Sequence, residues 1–451
     1  MSEKKKINVA GAGLVGSLVS IYLAKRGFNV NVFEMRGDIR NLENYGGRSI
    51  NLALSDRGWK ALEKVGLTDE IKEISIPMYG RMIHPVQGEE TFQAYGKENQ
   101  AIYSVSRSEL NKKLIELADQ YENINFFFNQ KCIDANLENS ELIFQDRLTN
   151  KFSTAKADAT IATDGAFSSI RYKMQKTDRF DFSQMYLEHG YKELTIPPNE
   201  DGSFKMDKNA LHIWPRGNFM MIALPNPDGS FTCTLFFPYK GIKSFESLDS
   251  KEKVQQFFEA VFPDAVPLMP TLLEDYFTNP TSSLVVIKCK PWNLKNKILM
   301  LGDASHAIVP FYGQGMNSGF EDCTVLDEML DIYQDDFEKL FPTYAYNRKP
   351  DADAISDLAL RNFIEMRDLV ANEDFILRKK IEALLTEKYP DKWLPLYSMV
   401  TFSHIPYSKA LSEGKKHDKI FEEIMKIPDI QNKWNTDEVL QKVLSEYQKV
   451  S

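Results

Sequence analysis

At 451 residues the chain is too long for one ordinary core, so two or three structural regions are expected. A hydrophobic content of 43% with 26% charged residues excludes a disordered or fibrous chain, and a net charge of −9 argues against a nucleic-acid partner. The four cysteines, Cys132, Cys233, Cys289 and Cys323, form no CxxC pair and have no histidine at ligand spacing. That speaks against a disulfide framework or a metal site, and for a reducing, cytoplasmic setting.

Lys4-Lys5-Lys6 and the apolar run 7–24 have the outline of a signal peptide or membrane span. The run, however, carries regularly placed glycines and continues into a second strand-like segment ending in an acid, which neither alternative needs. Residues 6–10 read as a buried strand, 13–26 as a helix closed by Gly27, and 29–34 as a second strand, together a βαβ opening. Residues 52–65 read as a helix closed by Gly66. Residues 107–121 read as another helix, with Leu110, Leu114, Ile115 and Leu117 on its apolar side. Residues 123–152 alternate as strands, and 159–163 form a short buried strand entering Asp164-Gly165.

Between about residues 181 and 290 the pattern changes. Segments 211–215, 219–224 and 231–237 are strand-like, and Pro225-Asn-Pro-Asp-Gly229 is a strong hairpin signal. The chain returns to a strand at 298–301, passes a glycine-rich loop into a helix, and is mainly helical from about residue 344. The fold expected is α/β: a Rossmann-type nucleotide domain from 1–75, 98–180 and 285–343, an inserted, mostly antiparallel β-sheet substrate domain from 76–97 and 181–284, and a C-terminal helical region, 344–451.

Gly11-Ala12-Gly13-Leu14-Val15-Gly16 lies between a strand and a helix, where glycine permits a tight turn and brings backbone N–H groups to a pyrophosphate at the helix N-terminus. Glu34 stands 18 residues beyond Gly16, at the end of the second strand, where an acid accepts the hydroxyls of an adenosine ribose. Strand, glycines, helix, strand and acid in that order specify a dinucleotide but not whether it is NAD or FAD. Two later segments bear on the choice. A buried strand ends in Asp164-Gly165 and leads towards Arg171. Another ends in Gly302-Asp303 and runs through Pro310 to Gly313-Gln-Gly315-Met316-Asn317. Asp303 is placed to hold a ribityl chain. A helix starting near Gly315 aims its positive end at a flavin pyrimidine, which gains negative charge on reduction.

With these three segments the chain resembles the p-hydroxybenzoate hydroxylase-like, or class A, flavoprotein monooxygenases, from Ile7 to about Asp322. The resemblance implies tightly but non-covalently bound FAD, NADPH as a transient electron donor and O2 as co-substrate, with ring hydroxylation through a flavin C4a-hydroperoxide. It implies that Gly11, Gly13, Gly16, Glu34, Arg107, Asp164, Asp303, Gly315, Met316 and Asn317 bind the cofactor. A closer likeness, over most of the chain, is to members of that family acting on an aromatic amino acid. It rests on Gly80-Arg81-Met-Ile-His84, Gln93-Ala-Tyr95-Gly96, Arg361-Asn362-Phe-Ile-Glu365 and Pro395-Leu-Tyr397-Ser. It implies that Arg81 pairs with the substrate carboxylate, that Tyr95 donates to it, and that Asn362 and Tyr397 add contacts. It also implies that Leu211, Ile222, Leu224 and Phe236 line an aromatic pocket beside Pro310 and Phe311. No acid or base is assigned, and His306 is read as loop support.

Other functions stay open at this point: a hydroxylase of another aromatic acid, or a flavin-binding reductase without oxygenase activity. A halogenase is disfavoured by the absence of a WxWxIP-like motif, Trp214 standing in Ile213-Trp-Pro-Arg216 instead. The polar, amphipathic tail argues against a membrane span. Oligomeric state is not fixed by the sequence, a homodimer being the one assembly entertained.

Overall fold

The computed structural model describes residues 4–41, 51–96, 99–369 and 372–450. The expected boundaries at residues 1, 97, 98 and 451 lie outside the described residues. Met1–Ile76, Tyr103–Leu187 and Thr281–Ser356 make one compact unit; Pro77–Ile102, Glu188–Pro280 and Asp357–Ser451 make a second.

The first unit is built on a sheet in the order Asn293–Leu294, Ile298–Met300, Ala159–Ala162, Lys6–Ala10, Asn29–Phe33, Ile124–Phe127. All pairs are parallel except the first. Ile7, Val9, Val30, Val32 and Ile161 are at most 1% exposed, as strands covered on both faces require. Helix Leu14–Lys25 follows Lys6–Ala10 directly, and Gly27, with φ +85°, closes it in the left-handed conformation that glycine adopts without strain.

Residues 52–65 depart from the expected helix. Asn51–Leu54 is a strand, antiparallel to Ile102–Ser106 with Leu52 opposite Val105, and only Asp56–Glu63 is helical. The partner strand lies some fifty residues on, and a four-residue apolar run has no period of its own to reveal the pairing.

In the second unit, strand neighbours run Asp181–Ile196 (from Glu188 onward), Phe231–Pro238, Met220–Pro225, Ala210–Pro215, Gly80–Ile83, Thr91–Ala94. Only Ala210–Pro215 with Gly80–Ile83 is parallel. Alternation divides the sheet's residues between two faces. One carries Leu194, Ile196, Trp214, Met221, Ala223, Cys233, Leu235 and Phe237, packed with Val254, Phe258, Phe262, Leu272 and Tyr276. The last five come from helices Lys251–Val261 and Leu272–Thr278 and their flanks, which the reading of 181–284 as sheet does not include. Each fully buried aromatic there contributes about 2–3 kcal/mol. The C-terminal helices Glu373–Lys388, Tyr407–Ile424 and Asp437–Val450 enclose a further core around Ile381, Leu385, Trp393, Phe421 and Leu440. Among the described residues no helix is long and apolar enough to cross a membrane.

Candidate functional site

The glycine loop divides its three positions between the protein and a ligand. A Cβ on Gly11, at φ +98°, would lie 2.6 Å from the Thr163 carbonyl oxygen, and one on Gly16 would lie 1.9 Å from that of Gly11. Backbone against backbone leaves no room, so both glycines serve the fold. A Cβ on Gly13 meets no described atom within 4 Å. That is the position at which a pyrophosphate approaches the backbone in such a turn. Glu34 stands beside this loop, its Oε2 accepting from the Ala12 N–H at 2.8 Å and its Oε1 from the Arg36 N–H at 2.9 Å. Each oxygen keeps a second lone pair for a ribose hydroxyl.

Two residues of this loop's support are missing from the sequence reading. Thr163 Oγ1 donates to the carbonyls of Ala10 and Gly11, and Asn111 Nδ2 donates to that of Ala12. Asn111 is a polar residue among the apolar positions of helix Arg107–Ala118, which is the signal that marks it. Its Oδ1 is buried and makes no hydrogen bond among the described residues. Arg107, the first residue of that helix, is exposed behind the Ser106 cap.

Asp164 Oδ2 accepts the N–H groups of Ser169 and Ile170 at the start of helix Ser169–Met174. Its Oδ1 is buried and makes no hydrogen bond among the described residues, and burial raises its carboxyl above the usual range. Asp303 is exposed, directly after Gly302 at φ +59°. The turn is fixed from beneath by Asp322, which is fully buried. Its Oδ2 accepts the Gly302 N–H at 2.8 Å and lies 2.6 Å from His306 Nε2, and its Oδ1 accepts Arg348 Nε at 2.7 Å. Burial opposes the charge, but His306 and Arg348 outweigh it and hold the Asp322 carboxyl at about 2.

Helix Gly315–Tyr333 begins without a side-chain cap, leaving the N–H groups of its first turn to a ligand. The Asn317 side-chain amide is committed to the protein, its two N–H groups fully so. Its Oδ1 accepts Ser55 N–H at 2.9 Å, and its Nδ2 donates to the carbonyls of Ala53 and Gly313. Its backbone N–H, in the first turn of the helix, is the donor it has left. Met316 is buried, and the turn Pro310–Tyr312 places Pro310 outward and Phe311 inward. Open space at Gly13, an orphaned buried acceptor on Asp164, the exposed Asp303 carboxylate and an uncapped helix start are what FAD requires of a binding site.

In the second unit Arg81, Tyr95 and Tyr397 converge. The tyrosine rings stack at 5.1 Å with planes 13° apart. Arg81 Cζ lies 4.8 Å from the Tyr397 ring centroid and 5.6 Å from that of Tyr95, within cation–π range. Burial raises both phenols above their ordinary range, well above for Tyr95, so they stay protonated donors. Phe402 closes the cluster at 6.2 Å from Tyr95 and 6.0 Å from Tyr397, a member not anticipated from sequence. Asn362 is 3% exposed and donates to Met366 Sδ; the π-turn Glu365–Leu369 follows it, a local distortion frequent at functional sites.

Register assigns the four expected wall residues to one face. Leu211 lies beside Arg81, Ile213 opposite Ile222, Ile222 opposite Thr234, and Met220 opposite Phe236. Leu211, Ile222, Leu224 and Phe236 therefore share the Arg81 face, opposite the face packed by the two helices.

The FAD binding domain family matches residues 4–359. The chain is 52% identical to "Kynurenine 3-monooxygenase" of Flavobacterium johnsoniae over 100% of both chains. It is 48% identical to the protein of that name in Dictyostelium discoideum, over 97% of this chain and 96% of the other. In Sus scrofa the identity is 44%, over 93% and 88%. Among solved structures, 2-methyl-3-hydroxypyridine-5-carboxylic acid oxygenase has a similar fold, at TM-score 0.66 and 18% identity over 82% of this chain and 94% of that one. So does p-nitrophenol 4-monooxygenase from Pseudomonas putida, at TM-score 0.66 and 15% identity over 92% and 98%. The chain therefore belongs to the FAD-binding-domain family, within the group of relatives named kynurenine 3-monooxygenase, and is an FAD-dependent aromatic monooxygenase.

Proposed function

We propose that the chain hydroxylates L-kynurenine to 3-hydroxy-L-kynurenine, with NADPH as electron donor and O2 as co-substrate. The observation that carries the reading is the Arg81–Tyr95–Tyr397 cluster, a cation held beside two stacked aromatic rings on the apolar side of a sheet. An aromatic amino acid offers the matching groups, a carboxylate for the guanidinium and a ring for Leu211, Ile222, Leu224 and Phe236.

In this reading Arg81 binds the carboxylate as a charge-assisted pair and the Tyr95 hydroxyl donates to it. Because burial keeps that phenol protonated, it remains a donor over the working pH range. FAD, when bound, supplies the electron transfer and oxygen activation. Gly13 and Glu34 would hold its adenosine diphosphate, on a turn that Gly11 and Gly16 make possible; Arg107, Asp164 and Asp303 would hold polar groups further along. The N–H groups of Gly315, Met316 and Asn317, at the uncapped start of their helix, would hold the flavin, with Pro310 and Phe311 in the loop just before them. The aniline nitrogen of the substrate already enriches its ortho carbon, so no protein base is required. The protein's own contribution is orientation and exclusion of water.

Arg81→Ala tests the assignment. It is expected to keep its full flavin content, to raise the kynurenine KM about a hundredfold, and to oxidise NADPH with less hydroxylated product per turnover. Flavin absorbance, steady-state kinetics and product chromatography measure the three. Normal hydroxylation by Arg81→Ala refutes the carboxylate site.

A further inference from the structure

A hydroxyl taken out of water into a protein interior is hydrogen-bonded there or costs stability. Threonines in the helices of this chain meet that demand on their own backbone. Thr324, Thr343 and Thr386 each donate to the carbonyl four residues earlier, at 3.2, 2.8 and 2.8 Å. Thr401, the last residue of helix Leu396–Thr401, does not. It is 0% exposed, and its Oγ1 is buried and makes no hydrogen bond among the described residues.

Position gives this exception a meaning. Thr401 stands four residues after Tyr397, so the two side chains share one side of the helix. Burial raises the Tyr397 phenol, while Arg81, Thr401 and Tyr95 are the polar groups that draw it back. Thr401 thus adjoins the Arg81–Tyr95–Tyr397 cluster without meeting any member of it in hydrogen-bond geometry. The Tyr95 hydroxyl is in the same condition, buried and without a hydrogen bond among the described residues. Two such hydroxyls beside one guanidinium suit a compact group with negative charge and several lone pairs. A carboxylate has about four lone-pair sites. An ammonium in that place would face the like charge of Arg81.

We propose that Thr401 is a further substrate-binding residue, its hydroxyl donating to the same carboxylate that Arg81 and Tyr95 take. The proposal rests on the substrate reading above and adds a donor to it. The partner of this hydroxyl arrives with the substrate, so the position favours affinity over stability. That sets it apart from a structural threonine. Loss of the hydroxyl weakens substrate binding and leaves the substrate-free protein no less stable.

Thr401→Val, which puts a methyl group in place of the hydroxyl, tests both halves in the FAD-loaded protein. The kynurenine KM is expected to rise about tenfold, with flavin content unchanged and the substrate-free urea midpoint equal to the parent's or higher. Thr401→Ser, which keeps a hydroxyl, recovers most of the loss in KM. Kynuramine, which is kynurenine without its carboxylate, should inhibit parent and Thr401→Val with the same Ki. A lower urea midpoint in Thr401→Val shows a hydroxyl bonded inside the protein and overturns the proposal. So does a tenfold loss of kynuramine affinity, which would place Thr401 away from the carboxylate. An unchanged KM in Thr401→Val, with Arg81→Ala still raising it, overturns the Thr401 contact alone. An unchanged KM in Arg81→Ala overturns the substrate reading and this contact together.

Discussion

A methyl group added at Gly16 would sit 1.9 Å from the Gly11 carbonyl oxygen, whereas one added at Gly13 would meet no described atom within 4 Å. The two glycines should therefore fail in different ways. Gly16→Ala is expected to give little folded protein, because helix Leu14–Lys25 cannot close on its loop. Gly13→Val should fold, with apoprotein stability within about 1 kcal/mol of the parent in urea. Its FAD affinity, read by flavin fluorescence titration, should fall at least about a hundredfold. Parental FAD affinity in Gly13→Val would refute the pyrophosphate assignment. The spacing of these glycines and the acid at Glu34 are legible because they are local in sequence. Thr163 and Asn111 are not, since each acts on a backbone carbonyl remote in sequence, 152 and 99 residues away. Asn317 is legible as a position but not as a role, its amide being used up on Ser55, Ala53 and Gly313.

Among elements, Asp322 joins the turn at Gly302 to the helix that starts at Gly315, two of the segments assigned to FAD. Its carboxyl is depressed to about 2 in the folded chain, against about 4 when unfolded. The sign follows: this stabilisation is complete above about pH 4 and is lost as pH falls through about 2. Its size is about 2 kcal/mol. Asp322→Asn should be less stable than the parent at pH 7, with the difference narrowing as pH falls below about 4. Urea unfolding at several pH values checks this, and a difference independent of pH contradicts it. The sequence shows the strand–loop–helix order here, but not that His306 and Arg348 meet on one carboxylate. Strand Asn51–Leu54 is illegible for a related reason, its partner being remote. Helix Lys251–Val261 is different: Ser250 as N-cap, with Val254 and Phe258 at helical spacing, is a local signal within a span read as sheet.

For the whole molecule, the alternation of motif-bearing and strand-bearing segments implies that the chain crosses repeatedly between a nucleotide domain and a sheet domain before a helical region from about residue 344. The structure divides it into two units of three segments each. The flavin-assigned residues all belong to the first unit, and Arg81, Tyr95, Asn362 and Tyr397 to the second. Segment order is visible in sequence because glycine motifs and strand periodicity persist across long gaps. The stacking of Tyr95 on Tyr397 is not, because only the folded second unit brings them to 5.1 Å. The measurement that bears most directly on the whole account is turnover of the FAD-loaded protein with NADPH and L-kynurenine under isotopically labelled dioxygen, followed by mass spectrometry of the product. One labelled oxygen atom incorporated at the ring position ortho to the amine is the expected result. NADPH oxidation that yields only unmodified kynurenine and reduced oxygen would contradict it.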